Sequence, residues 1–108
     1  MPYAVDRPFS LVDLADVAEA TARVLSEPGH VGATYELAGP VTTIAALAEA
    51  LGLTARRARS ARGSRAPDAL EAMFDWYDLH GLAGNPAVLG WLLGRPARDP
   101  VDVLAAAR

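Results

Sequence analysis

Apolar residues recur along this chain in short blocks, and their spacing switches between helical and alternating. The run Phe9 to Val12 suits a buried strand. Asp13 follows, placed to cap a helix by accepting from its first free backbone N–H groups, with Asp16 favourable in the first turn. Leu14, Val17, Ala18, Thr21 and Leu25 then fall at helical spacing and predict one buried stripe, which Pro28-Gly29 stops. In "GATYELAG", Ala33, Tyr35 and Leu37 alternate with Thr34 and Glu36, the pattern of a half-buried strand.

Thr42 or Thr43 can cap a second helix with the stripe Ile44, Leu47, Ala48 and Leu51, terminated by Gly52. Residues 53–66, "LTARRARSARGSRA", show poor periodicity and predict a short strand followed by an arginine-rich loop. Pro67 and Asp68 open a third helix, with Leu70, Met73, Phe74 and Tyr77 on one face and its end at Gly81. Asn85-Pro86 repeats the signal for a fourth helix, carrying Val88, Leu89, Leu92 and Leu93 up to Gly94. Asp99-Pro100 starts a fifth, through Leu104. The expectation is an α+β fold, mostly helical, with four to five helices and two or three short strands. Short strands separated by a helix leave unpaired edges, which call for a partner. The chain therefore reads as part of a larger fold that self-associates, most simply as a twofold homodimer.

Composition narrows the chemistry. At 108 residues the chain is expected to form a single domain with a modest core. Cysteine is absent, which removes disulfides, thiolate metal ligands and thiol nucleophiles. All ten basic residues are arginine, so there is no Schiff-base lysine and no phosphate-loop lysine. No apolar run approaches the length that spans a bilayer, and the N-terminus has no apolar leader region, so a cytoplasmic protein is expected.

Three segments resemble the NmrA-like family of atypical short-chain dehydrogenase/reductases. They are "SLVDLADVAEATARVLSEPGHVGATYELAGP" (10–40), "TTIAALAEALG" (42–52) and "MFDWYDLHGLAGNPAVLGWLLGRP" (73–96). Residues 53–67 depart from the family pattern and are loaded with arginine. The resemblance implies the C-terminal, substrate-side lobe of an NmrA-like fold, with the nucleotide-binding half lying outside this chain. The residues agree. A dinucleotide site needs a glycine-rich turn between a strand and a helix N-terminus. The pairs Gly29/Gly32 and Gly81/Gly84 lack the third glycine, and no tyrosine is followed four residues later by lysine. No NAD(P) cofactor, and no other, is expected.

Other chemistry rests on fewer residues. His30 and His80 are too far apart for a helical metal motif, and no metal is expected. A Ser–His–Asp set from Ser60 or Ser64, His80 and Asp78 lacks a nucleophile elbow. General acid–base work is the better catalytic option, with Tyr77, Asp78 and His80 as its candidates. Trp76, Met73, Asn85 and Trp91 are the candidate walls of a pocket for a small apolar ligand. The competing reading puts Tyr77 in the core stripe and makes His80 a helix-end residue facing the negative pole of the dipole. His30 reads as a loop residue before the predicted strand. Arg56, Arg57, Arg59, Arg62 and Arg65 form a basic cluster suited to a protein partner, while the lack of interleaved aromatics and the net negative charge argue against nucleic acid. The leading reading is a small-molecule- or protein-binding module without NAD(P)-dependent redox activity. A cofactor-independent isomerase or cyclase, a regulatory partner-binding protein and half of a split reductase are the alternatives.

Overall fold

The computed structural model of this chain describes residues 3–56 and 68–107. Among them the elements run β1 (Phe9–Ser10), α1 (Leu14–Ser26), β2 (Val41–Thr42), α2 (Ile44–Ala50), α3 (Asp68–His80), α4 (Ala87–Leu93) and α5 (Pro100–Ala106). The fold is α+β, as the spacing predicts: five helices and a two-stranded sheet in which β1 pairs with β2. The chain divides into two compact units, Met1–Phe9 with Thr42–Leu82, and Ser10–Val41 with Ala83–Arg108.

The helix ends follow local chemistry. Asp13 accepts from the Ala15 N–H at 3.1 Å, Thr43 from Ala46 at 3.0 Å and Asp99 from Val101 at 2.8 Å, so each start has a side-chain cap. Asn85 accepts from Ala87 at 2.9 Å at the start of α4. Gly94 adopts φ +70° at the end of that helix, a conformation without penalty only for glycine.

In the first unit, Tyr3, Phe9, Phe74 and Tyr77 pack ring against ring, with centroids 5.2–5.9 Å apart. Burial, and then the neighbouring Tyr77, raise the Tyr3 phenol above its ordinary value. Phe9 and Leu82 form an isolated parallel bridge, and the Leu82 N–H donates to the Pro8 carbonyl at 2.9 Å. Gly81, at φ +66°, makes this approach possible, because a Cβ there would run into the Pro8 carbonyl oxygen.

In the second unit, α1 packs on α4 through Ala20, Leu89, Leu92 and Leu93, with Val12, Val24, Tyr35, Leu37, Val88 and Ala97 around them. The predicted α1 stripe is rotated relative to this face. Leu14 is 78% and Leu25 82% exposed, whereas Asp16 and Ala20 are fully buried. The reason is that Asp16 is held by distant partners. Its Oδ1 accepts from Arg95 Nη2 at 2.7 Å and from Arg98 Nη1, and its Oδ2 from the Arg98 backbone N–H at 2.7 Å. Glu19 also faces Arg95 at 3.3 Å, and Asp13 faces Arg98 at 3.6 Å. Burial pushes the Asp16 carboxyl up, but hydrogen bonds and charge from the two arginines outweigh it and hold the group below the usual carboxylate value.

"GATYELAG" keeps its alternation only over 34–37, with Ala33 exposed, and does not become a strand. Tyr35 and Leu37 are partly buried and Thr34 and Glu36 exposed, yet no neighbouring strand ladders with them among the described residues. β1 is correspondingly shorter than the run Phe9 to Val12. Residues 53–56 form no strand, and 57–66 of the predicted strand and loop lie outside the described residues.

Candidate functional site

The helix α3 separates its chemistry by face. Tyr77 turns its ring into the aromatic cluster of the first unit, 5.4 Å from Tyr3 and 5.3 Å from Phe9. His80 instead lies over Trp76, ring centroids 4.0 Å apart, on the solvent side of the helix. Asp78 lies between them in sequence, and its backbone carbonyl accepts from Arg7 Nε at 3.1 Å. Among the described residues Trp76 is 57% exposed and Met73 38%, so both side chains are open to solvent. Asn85 and Trp91 belong to the second unit, where the Asn85 side chain accepts from the Ala87 N–H just ahead of α4. Arg56 is exposed at the edge of the described residues, and Arg57, Arg59, Arg62 and Arg65 lie outside them.

A denser constellation surrounds Trp91 in the second unit. Its indole stands 6.3 Å from the His30 ring and 5.9 Å from Tyr35, both edge to face. His30 Nδ1 and the Tyr35 hydroxyl are hydrogen-bonded at 2.7 Å, and His30 Nε2 is 3.7 Å from Glu27 Oε2. The His30 side chain is only 11% exposed, while Glu27 is 52% exposed. A loop residue by its sequence context, His30 is thus folded under the chain between a carboxylate and a phenol. The turns at Gly29 and Gly32, both at positive φ, carry the chain from the end of α1 to Tyr35.

Two adjoining hollows open here. One, about 200 Å³, is lined by Ala20, Thr21, Val24, Leu25, Tyr35, Leu37 and Leu92. The other, about 350 Å³, runs along Val24, Leu25, Glu27, His30 and Val31. Leu25 and Val31 are almost wholly exposed, so the apolar rim is already in place without a cover. Apolar walls with a few convergent polar groups are the usual make-up of a small-molecule site. Sequence reasoning named Trp91 and missed Glu27, His30 and Tyr35. The available signal was their closeness along the chain, a carboxylate three residues before the histidine and a tyrosine five after it.

Among the described residues no group of three His, Asp or Glu side chains is gathered to hold a metal ion. Nor is any helix there long and apolar enough to cross a membrane.

Solved structures decide what these elements are part of. The NADPH-dependent quinone oxidoreductase QOR2 of Escherichia coli superposes on 97% of this chain with a TM-score of 0.73 and 28% identity. In its complex with NADPH the same enzyme gives 0.76 and 30% identity, again over 97%. The chain carries part of a reductase fold. It covers 45% and 43% of those two chains, less than half their length. The Citrobacter sp. triphenylmethane reductase, solved with NADP(H), shares the fold at a TM-score of 0.75 and 20% identity, over 95% of this chain and 42% of that one. These neighbours match the chain as part of an NmrA-like fold. No protein-family model matches the sequence, and no curated protein does.

Proposed function

We propose that this chain is a small-molecule-binding module built on the C-terminal, substrate-side part of an NmrA-like reductase fold, with no NADPH-dependent redox activity of its own. One observation carries the reading: nearly all of the chain superposes on less than half of an NADPH-dependent quinone oxidoreductase. The sequence supports it, since neither glycine pair supplies the turn that lets backbone N–H groups reach a pyrophosphate. The hollows lined by Tyr35 and by His30 are the binding site in this reading. The module works in the cytoplasm as a twofold homodimer. Titration with NADPH by calorimetry, alongside NADPH oxidation with a benzoquinone, tests the redox part. Neither binding nor turnover is expected, and saturable NADPH binding at micromolar concentration overturns the reading. Light scattering tests the dimer, which a cooperatively folded monomer at micromolar concentration refutes.

The share of the neighbours left unmatched favours a second reading, half of a split reductase. Mixing the chain with a separately produced nucleotide-binding half then restores NADPH-dependent reduction. In a partner-binding role, deleting residues 56–65 abolishes capture of that half while leaving the circular dichroism of the chain unchanged.

A further inference from the structure

We propose that Glu27, His30 and Tyr35 form a proton relay that receives a small aromatic ligand with an acidic hydroxyl group, a phenol, in the apolar hollows beside α1. The proposal rests on the small-molecule-binding reading above and names the chemistry of its ligand.

The order of the relay follows from the distances. The Glu27 carboxylate, 3.7 Å from His30 Nε2, favours the tautomer with its hydrogen on that nitrogen. Nδ1 then has a free lone pair and accepts from the Tyr35 hydroxyl at 2.7 Å. The tyrosine oxygen keeps its own lone pairs for a donor outside the chain. The nearby Glu27 carboxylate polarises the imidazole electrostatically, and the 2.7 Å hydrogen bond passes this on to Tyr35, so the tyrosine oxygen becomes a better acceptor than an isolated phenol.

The walls select the rest of the ligand. Val24, Leu25, Leu37, Leu92 and Val31 offer an apolar bed for a ring. No arginine lines either hollow, so a carboxylate or phosphate ligand would meet the Glu27 carboxylate without a counter-charge. A purely apolar ligand would cover the tyrosine oxygen and leave its remaining lone pairs without a donor. A neutral aromatic O–H donor satisfies both conditions. On binding, the ligand O–H bond breaks and its proton passes to the Tyr35 oxygen, while the Tyr35 proton passes to His30 Nδ1. The products are a bound phenolate and an imidazolium facing the Glu27 carboxylate. Protons are conserved, and no electrons change hands.

The test uses 4-nitrophenol, whose phenolate absorbs visibly, at a pH where the free probe is mostly neutral. Titration with the whole chain is expected to raise the phenolate band saturably. Tyr35→Phe keeps the ring in the core, and is expected to abolish the band and raise Kd about tenfold, the worth of one charge-assisted hydrogen bond. His30→Gln can still accept from Tyr35 but cannot take the proton, so it loses the band while Kd rises less. Unchanged circular dichroism and thermal melting in both variants separate this from a structural role. Equal binding by nitrobenzene, which lacks the hydroxyl, overturns the relay while leaving the hollow as a small-molecule site. So does tighter binding by benzylamine. No saturable binding of any probe overturns both the relay and the site, and the NADPH experiment judges the reductase part independently.

Discussion

Replacing Asp16 by Asn probes the interaction that orients α1. The carboxylate is fully buried and accepts three hydrogen bonds, two from guanidinium groups and one from the Arg98 backbone N–H. An amide of the same size keeps one acceptor oxygen for the two guanidinium groups and turns an NH₂ group toward the remaining donor, the Arg98 backbone N–H. One charge-assisted hydrogen bond is lost, worth about 1.5–3 kcal/mol, and a donor is left facing a donor at a further cost of about 1–3 kcal/mol. Both arginines are partly exposed and regain water, which returns some of that. The expected net loss is about 3 kcal/mol, or a fall in Tm of about 15 °C for a chain of this size. Urea denaturation followed by far-ultraviolet circular dichroism at pH 7 measures it. The pH dependence adds a second check. Because the native Asp16 pKa is depressed, its stabilisation is complete above the unfolded value of about 3.9 and disappears as pH falls through the lower native one. The gap between wild type and variant must therefore close in acid. A difference below about 0.5 kcal/mol at pH 7, within the range of ordinary surface substitutions, would refute the reasoning. So would a gap that widens on acidification.

Leu89→Ala empties a fully buried position between α1 and α4 and is expected to cost about 3 kcal/mol in the same denaturation assay. Leu25→Ser changes a side chain that is 82% exposed and is expected to move stability by less than about 0.5 kcal/mol, the reverse of what the helical stripe predicts. Gly81→Ala forces a Cβ onto the Pro8 carbonyl at a positive φ, and is expected to cost more than the roughly 1 kcal/mol of a left-handed alanine alone. Thr43→Ala removes the cap of α2, with an expected loss of about 1 kcal/mol by thermal melting.

How much of this was legible in the sequence depends on the reach of each interaction. Caps and terminators were legible because they act within a turn: Asp13, Thr43, Asp99, Gly52 and Gly94 all sit where the spacing puts them. The buried face of α4 was legible too, since Leu89, Leu92 and Leu93 have no competing polar neighbour on that face. The face of α1 was not. Hydropathy places a charged Asp16 outside, and only arginines 79 and 82 residues away make its burial tolerable. "GATYELAG" shows the same limit, because alternation fixes which side chains turn inward but a strand also needs a neighbour. At the candidate site, Trp91 was visible as a large aromatic, whereas His30 gained its interest only when the glycine turns folded it onto Tyr35.

The Asp16 latch also bears on how the chain is made. Translation runs from the N-terminus at about 5–20 residues per second, so Arg95 and Arg98 follow Asp16 by roughly 4–16 s. Until they leave the ribosome, α1 carries on its inner face a carboxylate that must stay in water. Early docking of that face is thereby discouraged, and a nascent chain interrupted before Arg95 keeps its core surface open to chaperones and proteases.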